Sequence, residues 1–234
     1  MSALDFLLSI NSKIIKYGLE RTIKLLDTCK NPHKKLQSIQ VVGTNGKGST
    51  ASMLANALIK NGYTVGLYTS PHLVNINERI MINHQLITNE FMNSFVNKYK
   101  SDFIKQQSSF FEIMTVMALK YFEFYDVDFA ILETGLGGRL DSVTAANAEV
   151  VIYTPIDIDH ISLLGGSLKN IAQEKAGAIS HSSKLIFSTK QDAMVSDILN
   201  QKAKSVNKEV LYDNCTDYNL NFSAQHQLQN ASLV

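Results

Sequence analysis

Residues 39–50 read Ile-Gln-Val-Val-Gly-Thr-Asn-Gly-Lys-Gly-Ser-Thr, an apolar run that leads into a loop with three glycines, one lysine and a Ser-Thr pair. Helix-forming residues follow at 51–60. A strand, a glycine-rich loop and a helix in this order are the setting of a phosphate-binding loop. Glycines let backbone N–H groups turn toward a polyanion, and the helix N-terminus adds further donors. We therefore predict that Lys47 contacts the β- and γ-phosphates of a nucleotide, and that Ser49 or Thr50 offers a hydroxyl to Mg²⁺.

The spacing within this loop is not the common one. The pattern G-x-x-x-x-G-K-[ST] would place a glycine at Val41, and here Gly48 separates Lys47 from the hydroxyl. The alternative is an ordinary glycine-rich turn with a solvated lysine, but the flanking strand and helix favour phosphate binding. The predicted nucleotide contacts are Thr44, Asn45, Gly46, Lys47, Gly48, Ser49 and Thr50.

Composition narrows the class of protein. The chain has 234 residues, of which 45% are hydrophobic, and its formal net charge is +1. Such a charge gives no bulk attraction to nucleic acid or membranes, and no apolar run reaches the roughly 18 residues of a membrane span. Cys29 and Cys215 lie far apart in no metal-like spacing, which indicates thiols in a reducing compartment. We expect a cytoplasmic monomer with no nucleic-acid or membrane partner.

Strand and helix patterns alternate along the chain. Helices are expected within 4–29, with a break at Gly18, and a small hairpin around Asn83-His84. The remaining helices are predicted at 51–60, 89–105, 109–125, 168–176 and 191–207, and the strands at 38–42, 63–68, 126–133, 149–154, 184–188 and 209–212. This alternation predicts an α/β fold with a mainly parallel sheet and helices on both faces, in a single three-layer ATPase domain over 1–234.

Chemistry-bearing residues follow the carboxyl ends of the predicted strands, where open α/β sheets bind ligands. Glu133 is expected to be a magnesium ligand or to position water; the alternative is a carboxylate that caps backbone N–H groups. His160 follows Asp157 and Asp159; it is either a ligand or a hydrogen-bonded structural residue. Lys175 lies near a helix C-terminus, where the local pattern favours a solvated cation.

Six motifs together resemble the folylpolyglutamate synthase/dihydrofolate synthase family, which is related to the muramyl ligases. They are GTNGKGST at 43–50, TSPHL at 69–73, NERI at 77–80, ETGLGGRLD at 133–141, DIDH at 157–160 and EKAG at 174–177. The resemblance implies an ATP-dependent ligase that joins L-glutamate to dihydropteroate or a folate through an acyl phosphate.

The resemblance also implies roles for individual residues. One Mg²⁺ would be held by Ser70, Glu133 and a phosphate oxygen, with Ser49 nearby, and a second metal would lie near His160. Lys175 matches a lysine that the family carbamylates, which would turn a cation into an anionic ligand. Asn230, in the sequence His226-Gln-Leu-Gln-Asn230-Ala, matches an asparagine that reaches the adenine. The implied catalytic residues are Lys47, Glu133, His160 and Lys175, and the implied metal ligands are Ser49, Ser70, Glu133, His160 and Lys175.

The chain also departs from the family pattern. Family members are roughly twice as long and carry a second, Rossmann-like domain that we expect to be absent here. Gln40 replaces the usual histidine, and 141–147 is longer than the usual D-A-T-N. The alternatives are therefore a truncated module that binds ATP and magnesium without ligase activity, or an unrelated P-loop phosphotransferase.

Overall fold

The computed structural model describes residues 3–10, 18–159, 166–212, 227 and 230–234. Within these residues one sheet has the order β4-β3-β2-β5-β1-β6-β7-β8. Its strands are β1 (Ser38–Val42), β2 (Val65–Tyr68), β3 (Ile80–Ile82), β4 (Gln85–Leu86), β5 (Phe129–Glu133), β6 (Val150–Tyr153), β7 (Leu185–Ser188) and β8 (Leu211–Tyr212). The helices are α1 (Ala3–Ser9), α2 (Glu20–Thr28), α3 (Lys47–Lys60), α4 (Asn89–Lys105), α5 (Phe110–Phe124), α6 (Leu168–Ala176) and α7 (Ala193–Lys204), with 3₁₀ turns at Pro32–Lys35, Ile76–Arg79 and Ser142–Ala146.

The sheet is mainly parallel, as predicted. Strands β2, β5, β1, β6, β7 and β8 pair in parallel, and only the β2–β3 and β3–β4 pairs of the described sheet are antiparallel. These two form the predicted hairpin, whose turn residues Asn83 and His84 have φ of 45° and 67°. Positive φ at both central residues is typical of a two-residue hairpin turn, and asparagine tolerates it better than most residues.

Apolar side chains on both faces of the sheet are covered by helices. On one face, Ile39 and Val41 of β1 pack with Ala51 and Leu54 of α3. Since side chains alternate along a strand, Val42 points to the opposite face, where it packs with α6 and α7. On that second face, α5 and α2 cover the part of the sheet that carries Tyr68 and Leu132. The predicted α/β class, with helices on both faces, is confirmed.

The structure also bears on the cysteines and on membrane-spanning segments. Cys29 is a buried free thiol, and Cys215 lies outside the described residues. No helix in the described ranges combines the length and the apolar character needed to cross a membrane.

Candidate functional site

The carboxyl ends of β2, β5, β1 and β6 are neighbours at one edge of the sheet. Glu133, the last residue of β5, is in register with Val41, and Val42 is in register with Tyr153 of β6. The phosphate-loop residues therefore emerge between Glu133 on one side and the 154–159 segment on the other. The sequence prediction that these stretches share an edge is confirmed for the residues that the structure describes.

The loop over 43–50 presents free backbone donors. Gly46 has φ of 83° and precedes α3, and no side chain caps the start of that helix. The N–H groups of Lys47, Gly48 and Ser49 have no hydrogen-bond acceptor within the described part of the chain, whereas Thr50 N–H bonds to Gly46 O at 2.9 Å. Three adjacent, unpaired N–H groups at the positive end of a 14-residue helix suit a phosphate group.

The 154–159 segment is hydrogen-bonded to the phosphate loop. Thr44 N–H donates to Pro155 O at 2.9 Å, and Thr44 Oγ1 both donates to Asp157 O at 2.9 Å and accepts from Asp157 N at 3.1 Å. Thr44 is therefore a brace between two loops in this structure. Its side-chain hydroxyl is engaged by the backbone of Asp157.

Glu133 faces the start of α3. Its side chain is buried, and a Cβ on Gly48 would lie 3.5 Å from both carboxylate oxygens. Glu133 Oε2 accepts a hydrogen bond from Ser70 N at 2.9 Å. Burial raises the pKa of the Glu133 carboxyl, while the Ser70 N–H and the charges of Lys47 and Arg79 act in the opposite direction. Glu133 thus accepts from a backbone N–H, as the alternative interpretation expects, and it faces the phosphate loop, while its role toward magnesium stays a prediction.

Two lysines converge on one carbonyl oxygen of the loop. Lys47 Nζ donates to Gly43 O at 3.2 Å and to Thr44 O at 3.1 Å, and Lys175 Nζ donates to Gly43 O at 2.6 Å. Lys175 is only 2% exposed, so the prediction of a solvated cation is wrong. Burial, followed by the charge of Lys47, lowers the pKa of Lys175 to about 8. Two ammonium groups that lie this close, in a partly buried position, favour the binding of a polyanion between them.

Packing of small residues explains why Lys175 is buried. A Cβ on Gly138 would lie 2.6 Å from Lys175 O and 2.8 Å from Glu174 O, so only glycine permits this approach. Arg139 N donates to Glu174 O at 2.8 Å, and Arg139 forms an ion pair with the Glu174 carboxylate at 2.6 Å. The loop after β5 thus presses the last turn of α6 against the phosphate loop.

A cleft beside the loop has a volume of about 440 Å³. Its lining residues are Asn45, Gly46, Ser49, Pro155, Gln227 and Asn230. Asn230 is 2% exposed, its side chain packs on Gly46, and its Nδ2 donates to Gln227 Oε1 at 3.1 Å. The structure therefore brings Asn230 to the phosphate loop, although 180 residues or more separate them in sequence.

The two candidate magnesium hydroxyls differ in access. Ser49 is half-buried and lines the cleft. Thr50 is fully buried, and its Oγ1 has no hydrogen-bond partner among the residues that the structure describes. Ser49 is therefore the hydroxyl that a ligand can reach. His160, predicted as a catalytic residue and metal ligand, lies outside the described residues.

Residues outside the predicted set of site residues also lie around this edge. Arg79 and Asp141 are buried, and both act electrostatically on Glu133. Gln40 lies under the loop after β5 and donates to Thr134 Oγ1 and Thr144 Oγ1. Arg79 lies in the NERI motif and Asp141 in the GLGGRLD motif, but an arginine and an aspartate inside predicted loops give no local sign that they will be buried.

The donors at this edge fit magnesium. Mg²⁺ prefers oxygen ligands and takes one or two carboxylates together with substrate phosphates and water. The Glu133 carboxylate, the Ser49 hydroxyl and the Ser70 hydroxyl are oxygen donors of this kind. Among the described residues there is no cluster of three or more His, Cys, Asp or Glu side chains able to hold a metal. Such a metal would therefore depend on ligand oxygens as well as protein oxygens.

Comparison with known proteins identifies a matching family and similar proteins. The Mur ligase middle domain family matches residues 41–234. The dihydrofolate synthase/folylpolyglutamate synthase of Bacillus subtilis (strain 168) is 38% identical over 213 residues, which is 88% of this chain and 50% of that protein. The chain thus spans about half the length of this relative.

Solved structures give the same fold. The Mycobacterium tuberculosis folylpolyglutamate synthase complexed with ADP and AMPPCP matches 99% of this chain and 60% of its own, with a TM-score of 0.89 and 28% identity. An FPGS–AMPPCP–folate complex matches 91% of this chain and 53% of its own, with a TM-score of 0.83 and 32% identity.

Proposed function

The chain belongs to the Mur ligase middle domain family, on its folylpolyglutamate and dihydrofolate synthase branch, and from this we propose that it is the ATP-binding part of a glutamate ligase. The reaction joins the amine of L-glutamate to the carboxylate of dihydropteroate or a folate. ATP first transfers its γ-phosphoryl group to that carboxylate, which gives an acyl phosphate and ADP. The glutamate amine then attacks the acyl carbon and displaces inorganic phosphate.

The observation that carries this proposal is the convergence of unpaired donors and cations on one point. The free N–H groups of residues 47–49 and the ammonium groups of Lys47 and Lys175 surround the space beside Gly43. A carboxylate is a weak nucleophile that the triphosphate repels, so neutralising charge and aligning the reactants must supply most of the rate. Lys47 would leave the Gly43 and Thr44 carbonyls and bind phosphate oxygens, because an anion is a stronger partner than a neutral carbonyl.

The metal belongs to the same proposal. Ser49, Ser70 and Glu133 would hold Mg²⁺, which supplies charge neutralisation of the phosphates. Glu133 keeps its place through the Ser70 N–H, so its second oxygen remains available. Lys175 would contribute either as a cation or, after reaction of its neutral amine with carbon dioxide, as a carbamate oxygen donor. His160 completes the proposed set, and Asn230 with the wall of the cleft would receive the adenine.

The alternative candidate is a module that binds ATP and magnesium without ligating glutamate. The chain covers half of the Bacillus relative. In the same proposal, residues 1–234 form one ATP-binding domain, and the protein is a cytoplasmic monomer. Light scattering during size-exclusion chromatography measures the oligomeric state.

The two candidates are separated by a product assay. The purified chain is incubated with ATP, Mg²⁺, L-glutamate and either dihydropteroate or tetrahydrofolate, and both phosphate release and the glutamylated product are measured. A parallel reaction uses a chimera that adds the part of the Bacillus subtilis relative that this chain does not cover. We expect product from the chimera and little from the chain alone, because a site closed by a second domain lacks part of its walls without it. Phosphate release that needs no pterin acid would instead indicate an unrelated ATPase.

A further inference from the structure

Arg79 is a buried arginine that makes no direct ion pair with the part of the chain that the structure describes. Its side chain is 8% exposed, and it forms no salt bridge with any residue of the described ranges. Charged side chains are almost never buried this deeply unless they are paired, because the ion loses its hydration. Glu133 acts on this charge without a direct ion pair, so the guanidinium can still take an anion that is supplied from outside the chain.

The guanidinium is nevertheless held in a fixed position. Arg79 Nε donates to His72 Nδ1 at 2.8 Å, and the guanidinium carbon lies 5.2 Å from the centre of the Phe110 ring. The backbone carbonyl of Arg79 also accepts from Thr69 N at 2.9 Å, which fixes the residue beside β2. These contacts use only the Nε–H group, so the two terminal NH₂ groups keep their fork geometry for a ligand.

The position of Arg79 separates it from the phosphate loop. Arg79 immediately precedes β3, and β3, β2, β5 and β1 are successive neighbours in the sheet. With strands about 4.8 Å apart, Arg79 lies roughly three strand spacings from β1, on the far side of Glu133. A triphosphate bound at 43–50 would therefore bring its terminal phosphate toward Glu133, and Arg79 would face the group beyond it.

Aromatic side chains enclose this far side. The ring of Tyr68 is fully buried and lies 5.9 Å from the ring of Phe111, and a Cβ on Gly135 would approach Phe111 to 2.5 Å. Apolar walls exclude water, which strengthens an ion pair between a guanidinium and an oxyanion. They also suit a carboxylate carried by a flat aromatic acid.

We propose that Arg79 binds the carboxylate of the acceptor acid, the group that is to be phosphorylated, through its two terminal NH₂ groups. The inference rests on the proposed function and adds a specificity-determining residue to it. Each carboxylate oxygen has two lone pairs, so an oxygen that accepts from Arg79 can still attack the γ-phosphorus. Arg79 then offsets the repulsion between this carboxylate and Glu133, and His72 acts as a positioning residue for Arg79.

The test compares an acid with its neutral isostere. Calorimetry measures the binding of pteroate and of pteroate carboxamide to the chain with AMPPCP and Mg²⁺ present. We expect pteroate to bind at least about 10-fold more tightly than the amide, and Arg79→Gln to weaken pteroate by about 10- to 100-fold while changing the amide little. Arg79→Lys keeps the charge but loses the fork, so it should lie between the two. Lys60→Gln, which removes an exposed charge from the last turn of α3, is the control and should leave the acid-to-amide ratio unchanged.

The outcomes separate the two claims. Equal binding of acid and amide by the unmodified chain overturns the inference. This comparison uses no variant, so it does not depend on whether the Arg79→Gln protein folds. Equal loss of both ligands in Arg79→Gln also overturns it, as does a loss of AMPPCP affinity in that variant, since Arg79 would then bind the nucleotide. Absence of pteroate binding by a chain that binds AMPPCP overturns it as well. Failure to bind AMPPCP and Mg²⁺ would instead contradict the proposed function itself.

Discussion

Gln40 connects the central strand of the sheet to the loop that carries the site. It is 1% exposed, and its Nε2 donates to Thr134 Oγ1 at 3.0 Å and to Thr144 Oγ1 at 2.8 Å. Thr144 Oγ1 in turn donates to Gly138 O at 2.7 Å. Because Thr134 follows Glu133 and Gly138 packs on the Lys175 carbonyl, this chain of bonds fixes both functional side chains through their backbones.

Replacing Gln40 with leucine should destabilise the protein by about 1–3 kcal/mol, because the two buried threonine hydroxyls lose their shared donor. Urea unfolding followed by circular dichroism measures the free energy of unfolding. Gln37→Leu is the matched control. Gln37 is exposed and lies just before β1, so its replacement should change stability little. Equal effects of the two substitutions would show that the Gln40 bonds contribute nothing.

Asp141 is a buried carboxylate that shapes the same loop. Its Oδ2 accepts from Leu136 N at 2.8 Å and its Oδ1 from Val143 N at 2.9 Å. Burial is the largest cause of its shifted pKa and raises it from 3.8 to about 6, against the effect of these N–H groups. A carboxyl whose pKa is higher in the folded state binds its proton more tightly there. Its contribution to stability is therefore present below pH 3.8 and is lost as the pH rises through about 6.

Asp141→Asn should isolate this pH dependence. The asparagine does not titrate, so the difference in unfolding free energy between the original protein and the variant should fall by about 2–3 kcal/mol from pH 4 to pH 7. The variant should also be less stable at pH 4, because its NH₂ group replaces one acceptor oxygen. Urea titrations at the two pH values give the comparison. A difference that is the same at both values would show that Asp141 keeps an ordinary pKa.

At the scale of elements, the ends of the helices were predictable because side chains near them cap the backbone. Thr88 accepts from Phe91 N at the start of α4, and Ser109 forms a capping box with Glu112 at the start of α5. These local hydrogen bonds depend only on residues close in sequence. By contrast, Glu112 also pairs with Arg21 of α2 at 2.9 Å, a contact between residues 91 positions apart that no local pattern reveals.

Glu112→Ala should therefore cost more than the loss of a cap. The change removes both the acceptor of Ser109 N and the buried partner of Arg21, so we expect a loss of about 3 kcal/mol. Glu90→Ala removes an exposed acidic residue from the first turn of α4, and it should cost only a few tenths of a kcal/mol. Thermal unfolding of both variants provides the measurement. A Glu112→Ala loss no larger than that of Glu90→Ala would exclude a stabilising role for the link between α2 and α5.

At the scale of the whole molecule, periodicity and strand ends predicted the parallel sheet and the edge at which its loops meet. The class of fold followed from alternating strands and helices, and the position of Glu133 followed from its place at a strand end. The burial of Lys175 could not be predicted, because it depends on the approach of Gly138 to the end of α6. Arg79 lies in the NERI motif, but its burial could not be predicted either, since it is created by β2 and by the ring of Phe110 in another helix. Distant packing, which sequence patterns do not encode locally, decides these two charges.

The central claim is that the loop over 43–50 binds a magnesium–nucleotide through Lys47. It is tested most directly by calorimetric titration of the chain with AMPPCP, with and without Mg²⁺. Lys47→Ala is compared with Lys60→Ala, which removes an exposed lysine from the last turn of the same helix. We predict saturable binding that needs Mg²⁺, unchanged in Lys60→Ala and weakened by about 100-fold in Lys47→Ala. Binding of equal strength in the two variants, or no binding by the unmodified chain, would contradict the claim.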